Sequence, residues 1–273
     1  MIFNEQLAIV YIAILIFGAF LGALANTFII QWLSEEIPKE IIKDSLDGNE
    51  NVEEKTKNIP QYRRKWFEYI PVLSWIKRDV SLFSYFPKHK QIALEAAFSS
   101  ATLLLFISFG LSKEFLLHTF AFWYFTCGMI CDIKTRYCPP TLQAIGFVGC
   151  VASAFFINGI ITTLLGLVLP GLVLYAIVVA FEMFLRKEVM GGGDLKMIVI
   201  VGGLLGSGFA IYEIAVGALI VTVLYVGVAI RYRRKGENYP VPMMVGYALA
   251  FVLYEALRFT EEGKAFFEIL SSI

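Results

Sequence analysis

An all-α polytopic membrane protein, with about eight transmembrane helices and a cytoplasmic segment between the first and second, is the fold that this sequence predicts. Three observations lead to it. Of the 273 residues, 58% are hydrophobic and 17% charged, and the mean hydropathy is +0.70, an apolar share beyond that of ordinary soluble domains. The apolar residues fall in runs of membrane-crossing length, and lysine and arginine collect between alternate runs.

From Gln6 to Ser34 no residue is charged, a run longer than the roughly 20 residues a helix needs to cross a bilayer. Residues 1–34 are assigned to the first transmembrane helix. Met1 to Gln6 contain no Lys or Arg and the apolar run is too long for a cleavable signal peptide, so this helix is expected to stay as an anchor. Residues 35–91 form a polar segment. Its middle, Asp44 to Asn58, reads as a mobile loop. Its end, Trp66 to Trp75, concentrates aromatics and proline, as a small ordered element at the membrane interface does.

Residues 92–273 hold seven further apolar stretches and are assigned to a membrane domain of seven helices. The stretches are Ile92–Leu111, Phe115–Ile133, Thr141–Ile157, Ile160–Leu185, Leu195–Phe209, Ile211–Ile230 and Val241–Leu257. The one beginning at Leu195 is short for a full crossing and reads as a tilted or partly sunken helix. Asn158-Gly159 supplies a turn, and Pro170 with Gly171 predicts a kink that neighbouring membrane helices tolerate.

Charge fixes the orientation. With the amino terminus outside, 11 of the 23 Lys and Arg residues fall in the first polar segment and eight in the loops after spans three, five and seven. Lys196 stands at an inner helix mouth, and only Lys113, Arg258 and Lys264 are outside. Positive residues accumulate on the cytoplasmic side, so that face is the one carrying the polar segment. The zero net charge, although segregated along the chain, argues against a nucleic-acid partner, which would want a basic surface. Cys127, Cys131, Cys138 and Cys150 show no paired C-x-x-C spacing and read as small buried apolar residues, with no metal site. His89 and His118 read as interfacial polar residues.

The chemistry starts at Gly191-Gly192-Gly193-Asp194, a glycine run ending in a carboxylate where a membrane helix begins. Such a carboxylate is costly unless something uses or pairs it. Glycines before it let another backbone come close. A single aspartate does not easily hydrolyse a peptide, whereas two that share a proton do, one activating water and the other donating to the scissile carbonyl. Asp132, at the inner end of span three, is the second candidate at the same membrane face, and it and Asp194 are the only aspartates after Asp79. At this level a plainer account stands beside catalysis. Asp194 could cap its helix, and Asp132 could pair with Lys134 or Arg136.

These residues resemble the type IV prepilin peptidases, membrane aspartic peptidases with a G-x-G-D motif. The motif is Gly191-Gly192-Gly193-Asp194, followed by Leu195-Lys196, with Lys187-Glu188 upstream. Gly22 to Asn26 is similar to the family's first-span segment and Ile70 to Trp75 to its I-P-L-L-S-W element. Glu95 resembles a glutamate opening the second span, and Tyr239 to Pro242 the family's approach to the last span. Asp132 falls where the family has its first catalytic aspartate.

The resemblance implies eight spans in the bacterial inner membrane, with the active site facing the cytoplasm. The implied activity is removal of the short basic leader from prepilins or pseudopilins of pilus or secretion systems. Asp132 and Asp194 would be the catalytic pair. Gly191 and Gly193 would shape the substrate-binding backbone, and Glu188 would meet the basic leader. The peptidase needs no cofactor. Many members also methylate the new amino terminus with S-adenosylmethionine, for which Asn26 and Glu95 are the retained candidates. The chain departs from the family in having no cysteine in residues 35–91, so zinc is not expected, and in having Pro140 where an aspartate is frequent. Preflagellin peptidases and presenilin-like proteases share G-x-G-D. From other classes, a proton- or cation-coupled transporter or a pilus or secretion scaffold could use the same aspartates.

Overall fold

A computed structural model describes residues 2–47, 88–135, 138–186, 192–233, 242–258 and 260. Among the described residues there are eight helices and no strand: α1 Ile2–Asp47, α2 Lys88–Phe109, α3 Lys113–Thr135, α4 Pro140–Phe156, α5 Ile160–Leu185, α6 Gly192–Leu205, α7 Ser207–Arg233 and α8 Met243–Leu257. Five are long and apolar enough to cross a membrane, namely α1, α2, α3, α5 and α7, while α4 and α8 are apolar but shorter. The chain is thus an all-helical membrane protein.

Most boundaries differ from the sequence expectation by a few residues, and two of the differences have a clear local cause. The first helix does not stop at Ser34 but continues to Asp47, because the Glu, Lys, Ile and Leu that follow are good helix formers whatever their polarity. The early part of the expected mobile loop is therefore helical, and residues 48–58 and the Trp66–Trp75 element lie outside the described residues. The sixth span ends at Leu205 rather than Phe209. Gly206 takes a left-handed φ of 97°, a conformation that glycine adopts without strain and that a helix cannot contain, so Phe209 belongs to α7. The helix α5 runs unbroken through Pro170.

By packing the chain divides into Met1–Gly110 and Leu111–Ile273, so α2 goes with α1 rather than with the six helices after it. In the first unit α1 and α2 are antiparallel, Gly18 lying on Ser99, Gly22 on Glu95 and Asn26 on Gln91. A Cβ at Gly22 would sit 2.6 Å from the Glu95 Cα, so these glycines let the two backbones approach, as small residues do in membrane helix pairs.

The second unit is a six-helix bundle. Its glycines again set the spacing. At the α5–α6 crossing, a Cβ on Gly166 or on Gly202 would overlap the carbonyl of the other. Gly146 of α4 leaves room for Tyr124 of α3 and Ile200 of α6, and a Cβ on it would come within 2.7 Å of the Ile200 methyl. At the end where α6 turns into α7, the Asn158 amide donates to the Leu204 carbonyl at 2.6 Å. The other end gathers the carboxyl terminus of α3 and the amino termini of α4, α6 and α8, and both aspartates stand there.

Candidate active site

The inward face of α3 carries Tyr124, Gly128, Cys131, Asp132 and Thr135, all buried, at the spacing of one helical stripe. Gly128 makes the convergence possible. A Cβ there would meet Met244 of α8 at 2.8 Å and Met197 of α6 at 3.0 Å, so its absence lets α6 and α8 close on α3 one turn before Asp132. The Asp132 carboxyl is 7% exposed.

Its partner is a backbone group. The Met244 amide donates to Oδ2 of Asp132 at 2.9 Å. The helix α8 begins after Pro242, which is extended and gives no side-chain cap. The first N–H groups of a helix have no partner within it, and the positive end of its dipole favours an anion. Asp132 therefore caps α8 from another helix. Of the two local cations, Lys134 is exposed and Arg136 lies outside the described residues.

Asp194 lies in the first turn of α6, ahead of the apolar run from Leu195 and outside the five crossing helices. Burial, and after it the nearby charge of Asp132, push its carboxyl up from the usual 3.8 to about 7. Two carboxyls that repel one another's ionisation share a site. The thiol of Cys138, in the connection between α3 and α4, marks where they meet. Burial first, and the charges of Asp194 and Asp132 as smaller contributions, raise it to about 11, against a hydrogen bond from Gln143 and the charge of Lys196. Cys138 thus lies within electrostatic reach of both carboxyls and is held as a neutral thiol.

Gly193 faces this wall. A Cβ on it would lie 3.5 Å from the Cys138 Cβ and 3.8 Å from Nε2 of Gln143. Lys196 is exposed. Gly191 and Glu188 lie outside the described residues. Asn26 and Glu95 are in the other unit, buried against each other, the Asn26 amide donating to Oε1 of Glu95 at 2.9 Å and to the Gln91 carbonyl at 3.1 Å. They make a clasp between α1 and α2.

Sequence reasoning missed several groups. The Met244 amide has no side-chain signature, although Pro242 before an apolar run signals a helix start. Gln143 and Cys138 were legible only as a polar and a small residue near Pro139. Tyr247, buried on α8, stands within electrostatic reach of both Asp194 and Glu213. Glu213, in α7, is wholly buried with neither carboxyl oxygen bonded among the described residues. His118 is buried rather than exposed. The antiparallel packing of α3 and α8 buries it against Phe251 and Tyr254, with Nδ1 2.5 Å from Oε1 of Glu255.

Residues 119–230, from α3 to the end of α7 and including both aspartates, match the type IV leader peptidase family. No curated protein and no solved structure matches the chain.

Proposed function

We propose, from the match of residues 119–230 to the type IV leader peptidase family, that the chain is an aspartic endopeptidase whose catalytic pair is Asp132 and Asp194. The observation that carries this reading is the electrostatic coupling of the two carboxyls, contributed by helices 62 residues apart in sequence.

The pair works in its singly protonated form. Asp132, with Oδ2 held by the Met244 amide, takes a proton from water through its other oxygen as that water attacks the scissile carbonyl carbon. Asp194, which keeps its proton up to about pH 7, gives it to the carbonyl oxygen. The tetrahedral diol then collapses. The proton on Asp132 passes to the departing nitrogen, the C–N bond breaks, and one hydroxyl proton of the diol returns to Asp194. No metal or redox partner is required by this balance.

The substrates in this reading are prepilins or pseudopilins, cut at the cytoplasmic face of a bacterial inner membrane, and the excess of Lys and Arg on one side of the spans supports that orientation. Carboxyls at helix ends favour hydrolysis over carrying ions through the bilayer centre. Methylation by S-adenosylmethionine would draw on Asn26 and Glu95, of which the Asn26 amide nitrogen and Oε1 of Glu95 are engaged in the helix clasp while Oδ1 of Asn26 has no partner among the described residues. The test is mass spectrometry of a prepilin incubated with the purified protein and S-adenosylmethionine, beside Asp132→Asn and Asp194→Asn. Leader loss with wild type only supports the pair. Cleavage by both variants overturns it, and an added methyl would restore the second activity.

A further inference from the structure

Two glycines of the motif, Gly192 and Gly193, are not needed by the packing of the described residues. Among the described residues the glycines with left-handed φ are Gly110, Gly159 and Gly206, so Gly192 and Gly193 hold a backbone that any residue adopts. A Cβ on Gly192 would meet nothing within 4 Å, and one on Gly193 would make only ordinary contacts, at 3.5 Å to Cys138 and 3.8 Å to Gln143. Elsewhere in this bundle glycine is enforced by packing, as at Gly166 and Gly202, where a Cβ has no room. Alanine at 192 and 193 would fit and would favour the helix. What the two glycines keep clear is therefore space beside Asp194 that no part of the described protein fills.

Among the described residues, Gln143 is the polar side chain that a Cβ on Gly193 would meet. Gln143, in the first turn of α4, is half-buried and hydrogen-bonded to the Cys138 sulfur, which fixes its carboxamide at the rim with Nε2 towards Gly193. One bond to sulfur leaves an N–H and the carbonyl oxygen available. Together these form the donor and acceptor set of a peptide group, matched to an extended peptide backbone and to no particular side chain. Asp194 follows Gly193 directly, so a peptide lying here has a carbonyl at the acid.

We propose that Gln143 is a substrate-binding residue: the peptide to be cut lies extended between the Gly192–Gly193 face of α6 and the first turn of α4, and the Gln143 carboxamide bonds its backbone beside the scissile bond. This rests on the peptidase reading and assigns the group that positions the substrate. The neutral Cys138 thiol orients Gln143 and does not itself react.

The experiment measures KM and kcat for a purified type IV prepilin in detergent with wild type, Gln143→Ala and Gly193→Ala. It adds the affinity of a fluorescent leader peptide in the Asp194→Asn background, with and without Gln143→Ala. One lost backbone hydrogen bond is worth up to about tenfold in binding. The expected result is a KM raised about tenfold by Gln143→Ala with kcat within about twofold, a matching loss of peptide affinity, and unfolding temperatures at or above wild type for both variants. Gly193→Ala lowers kcat/KM at least about tenfold without loss of stability. Wild-type KM and affinity in Gln143→Ala overturn the proposal while leaving the peptidase reading intact, as does a lost activity that tracks a lowered unfolding temperature. A wild type that neither cuts the prepilin nor binds the peptide overturns both.

Discussion

The Met244 amide donates to Oδ2 of Asp132 at 2.9 Å across 112 residues of sequence, so one carboxylate both caps α8 and forms half of the proposed catalytic pair. The two roles separate by mutation. Asp132→Asn keeps an oxygen for the Met244 amide, whereas Asp132→Ala leaves that buried N–H bare. Both variants are expected to lose cleavage. The alanine variant alone loses stability, by about 1 kcal/mol, the usual worth of a helix cap. Thermal unfolding beside a cleavage assay reads both, and equal stability of the two variants would deny the capping role.

The Asp194 carboxyl sets the pH dependence. Its value is raised, to about 7, so the acid form that donates to the substrate persists below about pH 7 and is lost above it. Cleavage is expected to fall as pH rises through about 7, on the alkaline side of a profile taken under saturating substrate. An unperturbed aspartate would already have lost its proton near 4. Activity constant from pH 6 to 9 would remove Asp194 from the role of acid.

Glycines within α6 should respond in opposite directions. Gly202→Ala drives a methyl into the Gly166 carbonyl, and backbone cannot rotate away as a side chain can. A cost of about 1–3 kcal/mol, the range for overpacking, is expected. Gly192→Ala meets nothing within 4 Å and is expected to be neutral or to gain up to about 1 kcal/mol from helix propensity. Chemical unfolding of the two variants in one detergent decides it. A destabilised Gly192→Ala would mean that the fold itself uses this glycine.

Much of this architecture could be read from the sequence because lipid imposes a coarse rule. A crossing helix must be a long apolar run, so Ile160–Leu185 was legible to the residue, and so was the placing of Asp132 and Asp194 at run ends. What the rule does not reach is anything decided by backbone or by contact between distant helices. Gly206 ends α6 through a dihedral angle, not through polarity. Met244 contributes an amide that every residue possesses. His118 reads as polar and interfacial until Glu255, on another helix, is placed beside it. The motif glycines point the other way. The sequence marks them clearly, while the fold gives Gly192 and Gly193 no structural duty.

Asn26 joins α1 to α2 through a buried amide that donates to Glu95 and to the Gln91 carbonyl. Asn26→Ala removes both bonds at once, at an expected cost of about 1–3 kcal/mol. The loss should appear as earlier unfolding of the protein with an unchanged kcat in the fraction that stays folded. A variant of wild-type stability that has lost only a methyl-transfer activity would instead make Asn26 a cofactor residue.

Glu213 is the sharpest conflict between this sequence and its fold. The side chain is 0% exposed within α7, and neither oxygen has a hydrogen bond among the described residues. An unsatisfied buried polar group costs about 1–3 kcal/mol, and an ionised one costs more. Leucine of similar volume carries no such penalty, so Glu213→Leu is expected to stabilise the protein by about 1–3 kcal/mol, and Glu213→Gln, which keeps polar atoms in the same place, to change it by less than about 1 kcal/mol. The same two variants should be assayed for cleavage. A leucine variant that is more stable yet slower would mean that the carboxyl is kept for the chemistry, through Tyr247, which lies within electrostatic reach of both Asp194 and Glu213. A less stable leucine variant would mean that the carboxyl has a partner, in water or in residues outside those described, and that its burial is structural after all.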